Sequence, residues 1–275
     1  MLPAATEHYR TQQQRARLAV LLARREWGQI GDDFDAGWQR VGPRLALLVG
    51  SAQRGAATDG VQYVGTALAA QGQAVRPEAR VNPAGLAGIA SDGRPLETLL
   101  YGAIVNARSA KVDTLPQRLE AGSRWLDLAV HSQVADAGRD GAKLAMTVRP
   151  SIKYVRFVNP PCCQRCAALG GEAIKYSRPF QRHPRCDCLM VPTTVANPAF
   201  AGEKLTAADV TDLTRKQKDA LADGANFHST INDYQRKRGD YSGYTPPTRV
   251  DQVIDRAAQR QKAMDALAQI GLVIP

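Results

Sequence analysis

All five cysteines of this 275-residue chain lie in one short stretch, between Cys162 and Cys188. They form two groups, one in the run 162–166 and one in the run 183–188, which also holds His183. Thiolates and imidazoles are the ligands that zinc prefers, and zinc takes four of them in a tetrahedron. The sequence therefore predicts a metal site, and the fold must bring the two groups together.

The spacing of the donors points to a structural zinc site. Cys163 and Cys166 form a Cys-x2-Cys pair, which supplies two thiolates across one tight turn. His183, Cys186 and Cys188 offer three further donors, so five candidates compete for four positions. Two arrangements stay open: Cys186 and Cys188 bind together, or Cys186 points into the core and His183 completes the set. We predict one structural Zn²⁺ per chain.

Iron–sulfur clusters and disulfides fit the cysteines less well than zinc does. The spacings do not match those of the common iron–sulfur clusters. Disulfides would require an oxidising compartment, and the chain begins without the basic and apolar segments of a secretory signal. Reduced thiols in an ordinary core are the remaining alternative. Cys162, next to Cys163, is an extra thiol without a predicted role.

Hydrophobic periodicity predicts a mainly helical chain. Leu18, Leu21 and Leu22, flanked by Ala16, Ala19 and Ala23, are expected to form the apolar face of a first helix. A long helix is predicted from about Pro116, a favoured first-turn residue, to about Met146. Further helical patterns follow at 96–107, 205–222 and 253–270. Most of this helical sequence is predicted to be scaffold.

A different pattern surrounds the cysteines. The residues from Ile152 to Val158 alternate apolar and polar side chains and are rich in β-branched and aromatic types, which predicts a strand. Shorter strands are predicted at 172–176 and 188–191. The predicted fold class is α+β, mainly α, with a helical N-terminal region, a small zinc-bound β-module and an extended or helical C-terminal tail. The corresponding regions are 1–115, 116–195 and 196–275.

The positive charge is concentrated near the cysteines. The net charge is +10, and residues 149–191 hold eight Lys and Arg against two Asp and Glu, so this segment carries 8 − 2 = +6. Such a concentration favours nucleic acid or another acidic partner; the alternative is a solvated basic surface. The predicted contacts are Arg165, Lys175, Arg178, Arg182 and Arg185. No stretch has the run of about 18 apolar residues that a membrane span needs.

No established catalytic motif is present in the sequence. A nucleophilic serine elbow, a phosphate-binding Gly-Lys-Ser/Thr loop and a His-Glu-x-x-His zinc motif are all missing. Cys162 could be paired with His131 or His183 as in a cysteine protease, but the surrounding thiols fit zinc better. We therefore expect no enzymatic activity and no catalytic residues.

The cysteine-rich segment resembles the Mu F-like minor head proteins of tailed bacteriophages. The resemblance rests on the Cys-x2-Cys pair, the Leu169-Gly170-Gly171 turn and the closing His-Pro-Arg-Cys-Asp-Cys run, and extends from about Trp125 to Pro192. Two positions depart from the family pattern, with Gly170 in place of a common Asp and Asp187 in place of a common Arg.

The resemblance implies a structural role in the phage head. Members are minor capsid proteins of the virion that associate with the portal protein, the major capsid protein and packaged double-stranded DNA, and they assemble in the host cytoplasm. On this interpretation the protein helps head assembly or DNA delivery. Two alternatives remain: a capsid maturation protease, for which Ser132 and His131 are the residues to test, and a free zinc-dependent DNA-binding protein.

Overall fold

A computed structural model of the chain describes residues 2–170, 173–196, 198, 205–227, 229–231, 245–257 and 259–275. The predicted α+β, mainly α, class is confirmed. In chain order the elements are α1 (Pro3–Trp27), α2 (Phe34–Ala69), β1 (Arg80–Val81), α3 (Leu96–Leu100), α4 (Gly102–Ser109), α5 (Leu115–Thr147), β2 (Lys153–Phe157), α6 (Gln164–Ala168), β3 (Ala173–Lys175), β4 (Leu189–Thr193), α7 (Arg215–Ala222), α8 (Arg249–Arg256), α9 (Arg260–Gln269) and β5 (Val273–Ile274).

The long helix α5 is the central element and packs along α2. It begins at a capping box in which Thr114 and Gln117 satisfy each other's backbone N–H groups, with Pro116 in the first turn as predicted. Glycines allow α2 and α5 to approach closely. A Cβ atom on Gly141 would lie 2.3 Å from the carbonyl oxygen of Ala57, so any larger residue would push the two helices apart.

The buried face of α1 contains only part of the predicted apolar face. Alanines line it, at positions 16, 19 and 23, whereas Leu18 and Leu21 are 56% and 64% exposed. The prediction failed for the leucines because α1 lies against both α2 and α5 at a distance that suits small side chains. Gln12, on the same buried face, donates from Nε2 to the carbonyl oxygen of Ala56 at 3.1 Å and so anchors α1 to α2.

The predicted β-module is an antiparallel three-stranded sheet with strand order β3-β2-β4. Val155 pairs with Val191 across one edge of the central strand, and Tyr154 pairs with Ile174 across the other. Every residue of β4 is buried, and the core behind the sheet includes Leu68 of α2. The sheet therefore packs against a helix of the predicted N-terminal region.

The C-terminal region folds back onto the end of α5. Leu144 shares a core with Val250 and Leu267, and β5 pairs with β1. The final helix expected from the sequence is two helices, α8 and α9. The stretch 236–248 was predicted to be extended. Residues 236–244 of it lie outside the described residues, and residues 245–248 are described. None of the helices within the described ranges is long and apolar enough to cross a membrane.

Candidate metal centre

The sheet brings the two cysteine groups together. Cys163 directly precedes α6, and its Sγ accepts a hydrogen bond from the backbone N–H of Cys166 at 3.4 Å, so the sulfur caps the short helix. The second group leads into β4 through a turn closed by the Cys186 N–H and the His183 carbonyl oxygen at 3.0 Å. Because β2 and β4 pair antiparallel, the segment after β2 lies beside the segment before β4.

The five donors predicted from the sequence form two overlapping groups that share Cys166. In the first, the Sγ atoms of Cys163 and Cys166 lie 3.1 and 3.2 Å from Nε2 of His183. In the second, Cys166 lies with Cys186 and Cys188, and the Sγ atoms of Cys166 and Cys186 are 3.8 Å apart. Ligand atoms within each group lie within 4.8 Å of one another. This cluster could hold a metal ion.

The geometry fits a tetrahedral thiolate and imidazole site. With a Zn–S bond of about 2.3 Å, two sulfur ligands lie about 3.8 Å apart, which is the separation of Cys166 and Cys186. Nδ1 of His183 lies 2.8 Å from the carbonyl oxygen of Pro184. A carbonyl oxygen only accepts, so Nδ1 carries a proton and Nε2 is the ring nitrogen that faces the cysteine sulfurs. Metal-binding histidines are usually held by such a second hydrogen bond.

The thiols of the cluster do not ionise alike: hydrogen bonds among the sulfur atoms raise the pKa of Cys166 far above its usual value and lower the pKa of Cys186 well below it. The hydrogen bond from the Cys166 side chain, with further bonds from His183 and the backbone, lowers the pKa of Cys163 to about 4. The Cys163 sulfur in turn raises the pKa of His183 to about 9. Burial, assisted by the neighbouring Cys163, raises the pKa of Cys162 to about 11. Cys162 is thus held as a neutral thiol and stands outside both donor groups.

Two buried arginines stand against the cysteine cluster. Arg139 of α5 donates to the carbonyl oxygens of both Cys186 and Cys188, the latter at 3.1 Å. Arg156 of β2 lies with its guanidinium carbon 3.8 Å from the centre of the Phe180 ring. Burial alone would lower the pKa of Arg156, but the charges of Cys188, Cys186 and Cys166 outweigh it and raise that pKa.

The buried side chains near the cluster carry an excess of positive charge when the cysteine sulfurs are left out of the count. Arg139, Arg156 and Arg182 are all buried, and the only buried carboxylate bonded to them among the described residues is Asp136. Three positive charges against one negative charge leave +2. A zinc ion with three or four thiolates carries −1 or −2, so a metal–thiolate complex compensates this excess. Uncompensated buried charges cost several kcal/mol each, about 3–5 kcal/mol when a partner is removed.

The five residues predicted to contact nucleic acid or a partner differ in their solvent exposure. Lys175, Arg178 and Arg185 are exposed, and Arg165 is half-buried. The prediction is wrong for Arg182, which is only 3% exposed. Its Nε lies 2.6 Å from an Asp136 oxygen, and its Nη1 lies 2.7 Å from the carbonyl oxygen of Pro246. The guanidinium of Arg182 is therefore paired inside the protein and does not face a partner.

Sequence reasoning missed the arginines and acids around the site. Asp136, Arg139, Asp140 and Lys143 recur at three- and four-residue steps in α5, and all four are buried. The sequence did contain a signal for these buried charges, because charged residues repeat at helical spacing on an apolar face of the helix. Such residues can be buried only when other segments supply partners of opposite charge. Those partners come from far along the chain, as with Lys143 and Asp251, which form a buried ion pair.

The histidine and serine that a protease would use lie next to each other in α5. Nδ1 of His131 and Oγ of Ser132 are both buried, and neither has a hydrogen-bond partner among the described residues. The structure therefore does not join them as a base and a nucleophile.

Comparison of the chain with models of known protein families, with curated proteins and with solved structures found no match.

Proposed function

We propose that the cysteine and histidine cluster binds one structural zinc ion. The observation that carries this proposal is the convergence of five donors from two chain segments, with Cys166 common to both groups. The bond from His183 Nδ1 to Pro184, which holds the ring with Nε2 facing the cysteine sulfurs, supports it. So does the excess of buried guanidinium charge beside the sulfur atoms. When bound, zinc would crosslink the turn before α6 to the turn before β4.

The site suits a structural metal better than a catalytic one. A catalytic zinc keeps an open position for water or substrate and needs a carboxylate base nearby. Here two groups of three protein donors share Cys166, so the cluster offers five protein donors for four positions, and Cys166, Cys186 and Cys188 are buried. Asp136, the buried carboxylate next to this region, is already bonded to two arginines.

Metal content of the purified chain tests the zinc proposal. Elemental mass spectrometry on protein prepared under reducing conditions without chelator should find one zinc per chain. The double variant Cys163→Ser, Cys166→Ser should contain none. Cys162→Ser is the matched control, because it removes a thiol in the same segment that belongs to neither donor group. Zinc-free wild-type protein would refute the proposal.

We further propose that the protein is a phage minor capsid protein, placed at the portal and capsid interior, where it aids head assembly or DNA packaging and delivery. The proposal rests on the resemblance of the segment from Trp125 to Pro192 to the Mu F-like family. It is supported by the exposed basic side chains of Lys175, Arg178 and Arg185, which lie in the same region as the cysteine cluster and suit DNA or an acidic partner surface.

Reconstitution tests this second proposal separately from the zinc site. Co-expression with the portal protein and the major capsid protein from the same genome should place the chain in assembled heads, detected in purified particles by mass spectrometry. A triple variant, Lys175→Ser, Arg178→Ser, Arg185→Ser, should keep its zinc but bind double-stranded DNA or the heads more weakly than the wild type, and its affinity should fall less steeply as salt rises. Heads that assemble with the chain excluded would refute the assignment. DNA binding by the isolated chain, without association with heads, would favour the free DNA-binding protein instead.

A further inference from the structure

The outer surface of the α1–α2 helix pair, which we call the hairpin face, carries an unusual number of exposed leucines. Eight large apolar side chains are exposed among the described residues, and half of them lie here: Leu18, Leu21, Leu22 and Leu47. Leu47 is 76% exposed, the largest value of the eight. Scattered exposed leucines need no explanation, but a contiguous exposed apolar patch marks a site of interaction.

The leucines of α1 lie in line on the helix surface. Gln14, Leu18, Leu21 and Arg25 are separated by steps of four, three and four residues, so their side chains form one stripe. The opposite side of α1 is buried through alanines. The large apolar side chains of this helix therefore face outward, although the helix is packed on α2 and α5 by its other side.

The two helices of the hairpin face are antiparallel neighbours. Arg15 of α1 is paired with Asp59 of α2 at 2.7 Å, and Glu26 of α1 is paired with Arg44 of α2 at 3.3 Å. In this register Leu47 of α2 lies opposite Ala23 and Arg24, within one helical turn of Leu22. The apolar stripe of α1 and the exposed leucine of α2 thus occupy the same part of the surface.

Unpaired positive charge surrounds these leucines. Arg10, Arg17 and Arg25 are exposed on α1, and none of them forms an ion pair with a described residue. Arg54 on the exposed side of α2 has no such pair either. Of the acidic residues in these two helices, Glu26, Asp35 and Asp59 are already engaged with arginines, which leaves Glu7 near the N-terminal end of α1. The hairpin face therefore combines an apolar centre with a basic rim.

We propose that the hairpin face is a docking site for an acidic amphipathic helix of a different protein. Leucines in line would pack against an apolar helix stripe, and arginines at the rim would meet flanking carboxylates, as in other helix-in-groove recognition. A second copy of this chain fits poorly, because a two-fold contact would place two faces with basic rims against each other. Nucleic acid would leave the leucines without a role. The face carries no tryptophan or phenylalanine, which are common on helices that lie in a membrane interface.

A synthetic helix tests the proposal and does not depend on the metal centre. The probe is a fluorescent peptide of about 18 residues, or five helical turns, with leucines at positions i, i+3, i+4 and i+7 and glutamates on the flanks. One control peptide has the same composition without a helical stripe, and a second has lysines in place of the glutamates. Fluorescence anisotropy with the full-length protein should show binding of the first peptide that weakens with salt, and little or no binding of the two controls.

Matched variants locate the binding to the hairpin face. We would make two double variants. One combines Leu18→Ser with Leu21→Ser, and the other combines Arg17→Glu with Arg25→Glu. Each should weaken peptide binding by about tenfold or more, since few residues carry most of an interface's affinity. Val105→Ser removes a comparably exposed apolar residue from α4 and should have no effect. Circular dichroism would verify that each variant is folded.

Several results would overturn the inference. Failure of the acidic peptide to bind, equal binding of the lysine peptide, or binding that the leucine variants leave unchanged would each do so. Concentration-dependent self-association that Leu18→Ser abolishes would make the face a contact between copies of the chain. Attachment to vesicles of anionic lipid that depends on the same leucines, without peptide binding, would make it a membrane contact.

Discussion

Cys166 is the residue whose loss should damage the metal centre most. It is the only one of the five donors that belongs to both donor groups, and its sulfur lies 3.2 Å from His183 Nε2 and 3.8 Å from Cys186 Sγ. Cys166→Ser therefore disrupts both groups. Cys163→Ser and Cys188→Ser each leave one group complete. We expect the single variant Cys166→Ser to lose zinc under conditions in which those two variants retain part of it.

The size of the effect follows from linkage between metal binding and folding. A binding free energy of about 10 kcal/mol, at the low end for structural zinc, corresponds to a Kd of about 50 nM. At about 10 µM free zinc the folded state then gains about 3 kcal/mol. For a chain of this length each kcal/mol changes Tm by about 2 °C. Cys166→Ser should thus lower Tm in zinc by about 6 °C or more.

Thermal denaturation with and without chelator, together with elemental analysis, measures this prediction. The wild-type Tm should fall on chelation and recover with added zinc, whereas the Tm of Cys166→Ser should respond to neither treatment. Cys162→Ser should behave as the wild type does. The reasoning fails if Cys166→Ser retains one zinc per chain, or if Cys162→Ser loses it.

Three further predictions concern packing and buried charge, each measured by urea denaturation. Gly60→Ala would place a Cβ 2.2 Å from the carbonyl oxygen of Gly138 and should cost about 1–3 kcal/mol; an unchanged midpoint would contradict the close approach of α2 and α5. Lys143→Met leaves Asp251 buried without its partner and should cost about 3–5 kcal/mol, and adding Asp251→Asn should recover part of the loss. Burial raises the pKa of Asp140 well above its usual range, so the folded state retains a proton that the unfolded chain releases, and stability falls as pH rises above about 4. Asp140→Asn should flatten this fall between about pH 5 and pH 8, and an unchanged slope would show that another group is responsible.

Features set by local sequence were predicted well. The long helix was expected over 116–146 and runs from Leu115 to Thr147. The strand expected at 152–158 is β2, from Lys153 to Phe157. Backbone propensity, capping residues and short-range periodicity act over a few neighbouring residues, so one sequence is enough to detect them. The five candidate donors were identified for the same reason, because their spacing places them on tight turns.

Features that depend on neighbours distant in sequence were not predicted. The leucines of α1 were assigned to its buried face, but the close packing of α1 on α2 and α5 admits alanine there and leaves Leu18 and Leu21 in solvent. Arg182 was assigned to the surface, but Asp136, 46 residues earlier, holds it inside. A residue's type does not reveal whether a partner from another segment will reach it.

By itself the sequence determined the mainly helical class, the strands that carry the cysteines and the set of donors. Only the tertiary structure decided that Cys166 joins the two donor groups, that Cys162 stands apart from them, and that Arg139 and Arg156 lie against the sulfur atoms. The physical reason is that donor spacing and helix propensity are local, whereas charge compensation and packing distance are properties of the assembled fold.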